Sequence, residues 1–225
     1  MPCKPRQPEG AAVDEQSLRL FAKVAGWGGR AAAMRVKRIL GEGIMPGAKV
    51  LDIGTGPGAI PLNLQRLHPE ACFSGCDISY GMLRMACAAS KKKHVQLLLA
   101  AGDGQQLPYK DNAFDVIISL FALHHMDRPE DLLHEVDRVL KPGGRLLLMD
   151  FRRDMPRGLF MLVNSLWQLV FFFSSGRKGF CLSVRSAWQP NEIADILSRY
   201  GLKRFQVHAN PMELWIINKR NQQSP

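Results

Sequence analysis

The sequence predicts an α/β protein with a doubly wound parallel sheet and helices on both faces. Short apolar runs that suit buried strands alternate with segments of helical periodicity after residue 48, which is the pattern of successive β-α-β units. The five predicted strands up to residue 151 are almost continuously apolar, as a sheet covered on both faces requires. A length of 225 residues fits one domain with a sizeable core.

Each element is placed by periodicity and by glycine and proline signals. The predicted strands span residues 48–53, 71–77, 95–101, 114–120, 145–151, 202–208 and 214–219. The predicted helices between and after them span residues 58–67, 80–90, 130–140 and 189–200. A turn is predicted at Lys141–Gly144, and Gly201 is expected to end the last helix.

The N-terminal part precedes the first strand. Residues 1–15 are polar and are predicted to be a flexible tail, and residues 16–225 are predicted to be a single domain. Within residues 17–47, apolar side chains recur at helical spacing and are interrupted by Gly26-Trp27-Gly28-Gly29. We therefore expect two N-terminal cap helices that are hinged at these glycines.

Residues 155–186 form an apolar insert after the fifth strand. Its stretch Leu159–Phe173 is fifteen residues long, which is too short to span a bilayer. Asn164, Ser165 and Gln168 interrupt it and lie on one stripe of a helix. Three interpretations stay open: a cap over a substrate, an interface with a second copy in a homodimer, or a helix that touches a membrane between flanking basic residues.

Charge and cysteine content limit the possible function classes. The net charge of +10 and the pI near 9.7 permit binding to nucleic acid or to an anionic membrane, but a solvated basic surface is favoured. Five scattered cysteines without a C-x-x-C pair predict neither a metal site nor a disulfide framework. Two of them, Cys72 and Cys76, are expected to face the core. The polar N-terminus lacks the apolar stretch of a secretory signal, which favours a cytoplasmic protein.

The chain is organised around Lys49–Gly58, where an apolar strand runs into a glycine-rich turn and then a helix. Gly54, Gly56 and Gly58 allow the backbone to turn tightly and a ligand to approach the main chain. The free N–H groups and the dipole of the following helix point at the same place. Asp52 adds a carboxylate to this crevice. Together these residues predict a nucleotide-like pocket without naming its ligand.

Two interpretations of this loop compete. Gly54–Ala59 satisfies the G-x-G-x-x-G/A pattern of dinucleotide sites, with Asp77 at a suitable distance to bind a ribose. This would suit an NAD(P)-dependent oxidoreductase. Against it, Asp52 would repel a pyrophosphate but would suit a ligand with a cationic amine.

Five motifs in register across residues 49–150 resemble those of the class I S-adenosylmethionine-dependent methyltransferases. They are Asp52–Gly58, Gly75–Ser79, Ala101–Gly104, Asn112–Ser119 and Arg138–Gly144. Overall the chain is most similar to the ubiquinone/menaquinone-biosynthesis-like group (methyltransferase type 11). The resemblance implies a Rossmann-like seven-stranded sheet of order 3-2-1-4-5-7-6 with the last strand antiparallel. It also implies S-adenosylmethionine as cofactor and S-adenosylhomocysteine as product.

The resemblance further implies which residues bind the cofactor. Asp77 would accept hydrogen bonds from both ribose hydroxyls. Ile78 would lie on one adenine face, supported by Met82, and Asp103 would accept a hydrogen bond from the adenine amino group. Trp27 lies where relatives often carry an aromatic residue over the cofactor, although packing is an equal alternative. The full implied set is Asp52, Gly54, Thr55, Gly56, Gly58, Asp77, Ile78, Met82, Gly102, Asp103, Gly104, Ser119 and Leu120.

The implied reaction is an in-line displacement at the sulfonium methyl, for which the protein aligns the reactants and excludes water. His124 and His125 follow the fourth strand, close to where the methyl group should emerge. They are candidate catalytic bases, because an imidazole that titrates near neutrality can take a proton from a weak nucleophile. One of the two can equally be a structural residue at the start of the next helix.

The acceptor is predicted to be a small, lipophilic molecule, because family members with an apolar cap after strand five often act on such molecules. No Asn-Pro-Pro-Tyr-like run and no Pro-Cys pair follows strand four, which disfavours nucleobase acceptors. The alternatives are an RNA or protein methyltransferase that uses the basic surface, the oxidoreductase, and a non-catalytic module that binds an adenosyl ligand.

Overall fold

A seven-stranded mixed sheet forms the centre of the protein. The computed structural model describes residues 15–172 and 175–219, so residues 1–14 of the predicted tail lie outside the described residues. The strands are β1 (Lys49–Ile53), β2 (Cys72–Asp77), β3 (Leu98–Ala101), β4 (Phe114–Leu120), β5 (Leu140–Phe151), β6 (Phe205–Ala209) and β7 (Glu213–Asn218). Their order is β3-β2-β1-β4-β5-β7-β6. Strands β1 to β5 pair in parallel, while β7 is antiparallel to both β5 and β6. The predicted fold class, sheet order and antiparallel last strand are confirmed.

Seven helices are described, and two of them begin at residues whose side chains cap the helix. The seven are α1 (Glu15–Leu40), α2 (Ala59–Leu67), α3 (Tyr80–Lys93), α4 (Pro129–Val139), α5 (Arg157–Val170), α6 (Gly179–Ser186) and α7 (Pro190–Arg199). Helix α3 begins where Ser79 Oγ accepts a hydrogen bond from the Met82 N–H at 3.4 Å. Helix α7 begins with a capping box between Gln189 and Glu192. After it, Gly201 adopts φ +68°, as expected for a helix stop.

Alternate residues of the central strands fill two separate cores, because successive side chains point to opposite faces of a sheet. Leu51 and Ile117 belong to a core that is covered by α4 and α7. Val50 belongs to the opposite core, to which α1 contributes Ala33 and Val36. The side chains on both faces are almost fully buried, so the sheet holds the carboxyl ends of its parallel strands in fixed positions.

The predicted hinge in the N-terminal helices is wrong. Residues Glu15–Leu40 form one continuous helix that runs through Gly26, Gly28 and Gly29. A Cβ atom on Gly29 would lie 3.0 Å from Ala59 Cβ and 3.1 Å from Asn63 Nδ2. Gly29 therefore permits a close approach between α1 and α2, and its lack of a side chain serves packing instead of flexibility.

Two smaller predictions also need correction. Lys141–Gly144 is not a separate turn but an irregular stretch inside β5, since Leu140 pairs with Phe114 and Arg145 pairs with Val116. Gly144 permits this close approach because it lacks a Cβ, which would lie 2.7 Å from Leu140 Cδ1. Cys76 is buried as predicted, but Cys72 is exposed at the start of β2.

The apolar insert forms helix α5, the short turn Ser175–Lys178 and helix α6. Phe173, the last residue of the apolar stretch, lies outside the described residues. The insert has its own small core of Met155, Phe180 and Val184, against which Phe160 and Trp167 pack. Among the described helices, none is both long and apolar enough to cross a membrane.

Candidate functional site

The glycine-rich turn between β1 and α2 forms the centre of the site. Gly54, Gly56 and Gly58 have φ values of +68°, +53° and +75°, a region that residues with a Cβ adopt only with strain. A Cβ on Gly54 would lie 2.5 Å from Ala122 Cβ, so this glycine permits close packing. A Cβ on Gly56 would meet no atom within 4 Å. The turn therefore faces open space at Gly56, where a ligand can contact the main chain.

Asp52 lies at the end of β1 and is almost fully buried. Its Oδ2 accepts a hydrogen bond of 2.8 Å from the Thr55 hydroxyl. Burial raises the pKa of Asp52 to about 7, the Thr55 hydrogen bond opposes this, and the nearby charge of Asp77 adds to it. Asp52 is thus a buried carboxylate. None of the described groups that affect its pKa is a cation.

Asp77 ends the neighbouring strand β2 and bonds directly to the glycine turn. Its Oδ2 accepts from the Gly56 N–H at 2.7 Å, and its Oδ1 accepts from the Ser79 N–H at 2.8 Å. The N–H groups of Gly54 and Thr55 donate to the Cys76 carbonyl at 2.8 and 3.1 Å. The turn and the end of β2 therefore form one hydrogen-bonded unit.

Asp103 follows β3, the next strand of the sheet, and completes a row of three acids. Its Oδ1 accepts from the Gln105 N–H at 2.9 Å, while the Gly102 N–H donates to the Asp77 carbonyl at 3.1 Å. Burial, and then the charges of Asp77 and Asp103, raise the pKa of the Cys76 thiol between them to about 11. The structure thus brings Asp52, Asp77 and Asp103 to the same edge of the sheet.

The remaining predicted cofactor residues fall into two groups. Ile78 is 76% exposed and Met82 is half-buried at the start of α3, so both border the open side of the row of acids. Three other predicted cofactor residues make contacts within the protein. Ser119 Oγ donates to the Ile53 carbonyl at 2.7 Å, Leu120 is buried in the core, and Gly104 packs against Met126 and Ile53. The Trp27 side chain lies outside the described residues.

The two histidines after β4 have different environments. His124 is 3% exposed, and its Nδ1 lies 2.8 and 3.0 Å from the Asp150 carboxylate oxygens. The backbone N–H of His124 also donates a hydrogen bond to Asp150 Oδ2 at 2.7 Å. His125 is exposed, and its ring centroid lies 4.1 Å from that of His124. Asp150 therefore anchors His124 and, through it, the segment that presents His125.

Sequence reasoning missed Asp150. Its signal was available, because an acidic residue directly follows the apolar run of β5 at the carboxyl edge of the sheet. Its partner could not be read from the chain, since His124 is 26 positions away and the two meet only through the β4–β5 pairing.

An aromatic cluster extends from these strand ends into the insert. It comprises Phe121, Phe151, Phe160, Trp167 and Phe180. The Phe121 and Phe151 rings are 4.6 Å apart, Phe151 and Phe180 are 5.2 Å apart, and Phe160 and Phe180 are stacked at 5.9 Å between centroids. Phe121 has φ +56°, an uncommon conformation for a residue with a Cβ.

The residues of the row of acids fit an adenosyl ligand that carries an amine. Asp52 is a buried carboxylate that a cation would stabilise in its charged form. The carboxylate oxygens of Asp77 can accept further hydrogen bonds beyond the two backbone ones, and the space in front of Gly56 is open. In residues 15–172 and 175–219 no group of three or more His, Cys, Asp or Glu side chains is arranged to hold a metal ion.

The fold and this site resemble those of the class I S-adenosylmethionine-dependent methyltransferases. Residues 51–148 match the family model described as "Methyltransferase domain". This matched region contains the glycine turn, the three acids and both histidines. S-adenosylmethionine is the cofactor of that class, and the match favours this interpretation over the dinucleotide interpretation of the glycine turn.

Curated relatives resemble the same central region. The chain is 39% identical over 106 residues to a demethylmenaquinone methyltransferase of Streptomyces avermitilis, which covers 47% of this chain and 43% of the relative. It is 36% identical over 110 residues to the ubiquinone/menaquinone biosynthesis C-methyltransferase UbiE of Cereibacter sphaeroides, with the same two coverages of 47% and 43%. The alignment spans less than half of each relative's length.

Solved structures resemble nearly the whole chain. A SAM-dependent methyltransferase from Aquifex aeolicus has a TM-score of 0.66 at 17% identity and covers 92% of this chain and 98% of its own. The plantazolicin methyltransferase BpumL, solved in complex with SAH, has a TM-score of 0.69 at 13% identity, with coverages of 92% and 91%. At these identities the likeness establishes the fold alone.

Proposed function

We propose that this chain is an enzyme that transfers the methyl group of S-adenosylmethionine to a small lipophilic acceptor, with a hydroxylated aromatic ring such as a naphthoquinol as the first candidate. The observation that carries this proposal is the aromatic cluster, which adjoins His124 and His125 at the carboxyl ends of β4 and β5. The Phe151 ring centroid lies 6.4 Å from that of His124. An apolar acceptor in contact with this cluster would lie beside an exposed imidazole.

The row of acids would hold the cofactor. Asp52 would pair with its amine, Asp77 with its ribose hydroxyls and Asp103 with its adenine amino group, while Ile78 and Met82 border the base. When bound, the cofactor supplies a methyl group on a positively charged sulfur. Once the methyl group is transferred, that sulfur is part of a neutral thioether, which is the leaving group. The protein's contribution is to fix the direction of attack and to exclude water.

His125 is the candidate base for an acceptor that must lose a proton. A phenolic hydroxyl would give its proton to the His125 imidazole, and the electron pair released would form the new bond from an oxygen or a ring carbon to the methyl group. For attack by carbon, the imidazolium returns its proton to the ring oxygen and the ring proton leaves to water, which restores the aromatic ring. His124 is a positioning residue in this proposal, because it is buried and bound to Asp150.

The names of the curated relatives support a quinone-type acceptor. They are called demethylmenaquinone methyltransferase and ubiquinone/menaquinone biosynthesis C-methyltransferase. The insert with Phe160, Trp167 and Phe180 lies outside the matched residues 51–148. The residues that would discriminate between lipophilic acceptors therefore lie outside the part of the chain that the family model matches.

A methyl-transfer screen tests the proposal. The purified protein would be incubated with methyl-labelled S-adenosylmethionine and, in separate reactions, with a short-chain demethylnaphthoquinol, a lipophilic phenol, a lipophilic thiol, a hydrophilic catechol and total RNA. Label is expected in a lipophilic product and not in RNA or the catechol. Label in RNA alone would overturn the proposal in favour of the basic-surface alternative.

Variants of the two histidines separate their roles. His125→Gln should lower kcat at neutral pH by about 10²–10⁴-fold if it removes a general base, with the loss smaller for the thiol, which ionises more readily. His124→Gln should reduce stability and activity together. Unchanged kcat in His125→Gln towards a phenol would exclude the proposed base.

A further inference from the structure

Helix α5 presents an apolar face outward. Leu169, Met161 and Leu162 are 73%, 63% and 60% exposed. Its polar residues Asn164 and Gln168, by contrast, are half-buried, whereas the small polar residue Ser165 is exposed. This polarity is the reverse of that expected for a helix on a water-exposed surface.

The exposed apolar side chains form one surface, which we call the α5 face. It consists of Met161, Leu162, Leu166, Leu169, Val170 and Phe172. Patches of several contiguous large apolar residues on the outside of a protein mark an interaction site. The face begins in the second turn of the helix and continues past its last residue, so a partner must be able to cover a long apolar strip.

The charged residues of the segment that carries the α5 face are of one sign. Residues 155–191 contain no aspartate or glutamate, and they contain four basic residues, namely Arg157, Arg177, Lys178 and Arg185. All four are exposed. The Arg177 guanidinium carbon lies 5.5 Å from the centre of the Phe172 ring, so a cation directly borders the apolar strip.

This charge pattern distinguishes the possible occupants. In a two-fold dimer through the α5 face, the basic residues of one copy would lie near those of the other, because such an interface pairs the same patch with itself. The insert offers no acidic residue to compensate. An anionic lipid leaflet offers acyl chains to the leucines and negative headgroups to the flanking arginine and lysine side chains.

From this we infer that the α5 face docks onto an anionic membrane surface, with α5 lying parallel to the membrane plane. The apolar side chains enter the boundary between headgroups and acyl chains, and Arg157, Arg177, Lys178 and Arg185 contact the headgroups. Docking in this manner needs no spanning helix. It also does not depend on the identity of the methyl acceptor.

Docking has a consequence that does rest on the proposed function. The inner side of α5 carries Phe160 and Trp167 of the aromatic cluster. A protein docked through the outer side would therefore hold the acceptor region within one helix diameter of the lipid. A lipophilic acceptor dissolved in the membrane would then reach the site with little exposure to water.

Vesicle flotation tests the inference on the full chain. The protein would be mixed with phosphatidylcholine vesicles with or without phosphatidylglycerol and centrifuged in a density gradient. It is expected to float with the anionic vesicles only, and less so as salt is raised. A protein that stays at the bottom with both vesicle types, or that floats equally with both, would overturn the inference.

Matched variants locate the contact. The pair Leu166→Glu/Leu169→Glu should abolish flotation, whereas Met45→Glu, at a residue that is 59% exposed elsewhere on the surface, should not change it. The charge reversal Arg177→Glu/Lys178→Glu should weaken partitioning by more than about tenfold, since each basic residue near an anionic surface contributes about 1 kcal/mol. Lys91→Glu/Lys92→Glu is its control. Equal loss in variant and control would contradict docking through this face.

Two further measurements separate the other outcomes. Titration calorimetry with S-adenosylhomocysteine should give the same affinity for each variant as for the parent chain, which shows that folding and cofactor binding are intact. In sedimentation velocity without lipid, we expect no dimer that depends on Leu169. A dimer of the parent chain that the substitution Leu169→Glu dissociates would assign the α5 face to a second copy. A protein that floats as expected but methylates no acceptor would leave docking intact and reject the proposed function.

Discussion

At the scale of single residues, Asp52 has the most consequential environment. It is almost fully buried and its pKa is raised to about 7, with burial as the main cause. An aspartate in an unfolded chain ionises near pH 4. The folded protein therefore opposes ionisation of a carboxylate that a cationic ligand would need in its charged form.

The first prediction concerns the pH dependence of stability. Because the folded-state pKa of Asp52 is raised, its contribution to stability is full below about pH 4 and is lost as the pH rises through about 7. Asp52→Asn removes this loss and keeps an acceptor for Thr55. We expect the variant, without ligand, to gain about 2–4 kcal/mol in free energy of unfolding at pH 8 and almost nothing at pH 4. Urea unfolding across this pH range measures the effect.

The same variant should bind S-adenosylhomocysteine more weakly, as calorimetry at pH 8 would show. A residue that destabilises the free protein but is needed by the ligand is typical of a functional site. An Asp52→Asn variant that is less stable at pH 8 and retains full affinity would contradict the assignment of Asp52.

A second prediction tests the open space at Gly56. Gly56 and Gly47 both have positive φ, at +53° and +76°, and a Cβ on either would meet no atom within 4 Å. Valine at either position should therefore cost a similar backbone strain of about 1–2 kcal/mol. Only Gly56→Val should lose cofactor affinity, because its side chain enters the ligand space. Equal affinity of the two variants would place the ligand elsewhere.

A third prediction concerns Asp77. In the proposed function, Asp77 accepts two charge-assisted hydrogen bonds from the ribose, each worth about 1.5–3 kcal/mol. Asp77→Ala should therefore weaken S-adenosylhomocysteine binding by at least about a hundredfold in calorimetry. Glu70→Gln, at an exposed residue outside the site, is the control and should bind normally. Undiminished affinity in Asp77→Ala would remove it from the site.

At the scale of elements, long-range polar contacts connect the helices to the sheet. Arg35 of α1 forms an ion pair with Glu213 of β7, with Nη1 and Oε1 2.8 Å apart, and its guanidinium lies 5.6 Å from the centre of the Trp215 ring. Glu213 is buried and pairs with Phe151 in the β5–β7 register. The N-terminal helix is thus attached to the strand next to the aromatic cluster.

The fourth prediction follows from the burial of Glu213. Arg35→Met leaves that carboxylate without its cation and should lower the free energy of unfolding by about 2–4 kcal/mol, below the full range for a buried pair because Arg35 is partly exposed. The double variant Arg35→Met/Glu213→Gln should recover part of the loss. Urea unfolding at neutral pH measures both. A double variant that is no more stable than the single one would argue against an unpaired charge as the cause.

The elements also show which features the sequence could predict. Strands β1 to β5 and the glycine turn were predictable, because apolar runs and alternate glycines are local signals. The role of Gly29 was not predictable, because in the sequence a glycine that permits bending cannot be distinguished from one that permits the close approach of a residue such as Ala59. The outward direction of the leucines in α5 depends on which side packs against Phe180, and that contact is absent from local periodicity. Asp150 was missed for the same reason.

At the scale of the whole molecule, ligand binding should appear as stability. A ligand that binds only the folded state at a hundred times its Kd adds about 2.7 kcal/mol, which corresponds to about 5–10 °C in Tm for a chain of this size. We expect this shift with S-adenosylhomocysteine and none with NADH at equal concentration, in a thermal unfolding assay. A shift with NADH alone would favour the dinucleotide interpretation.

The close contact at Gly29 places the N-terminal helix against the helix that follows the glycine turn. Ala59 and Asn63, which Gly29 touches, belong to the first turns of the helix that starts directly after Gly58. A displacement of α1 would therefore press on the base of the cofactor loop without altering any residue that touches the ligand. If the proposed cofactor site is correct, any partner or substitution that shifts this long helix would act on the affinity for the cofactor from a distance, through the packing of Gly29 on Ala59 and Asn63.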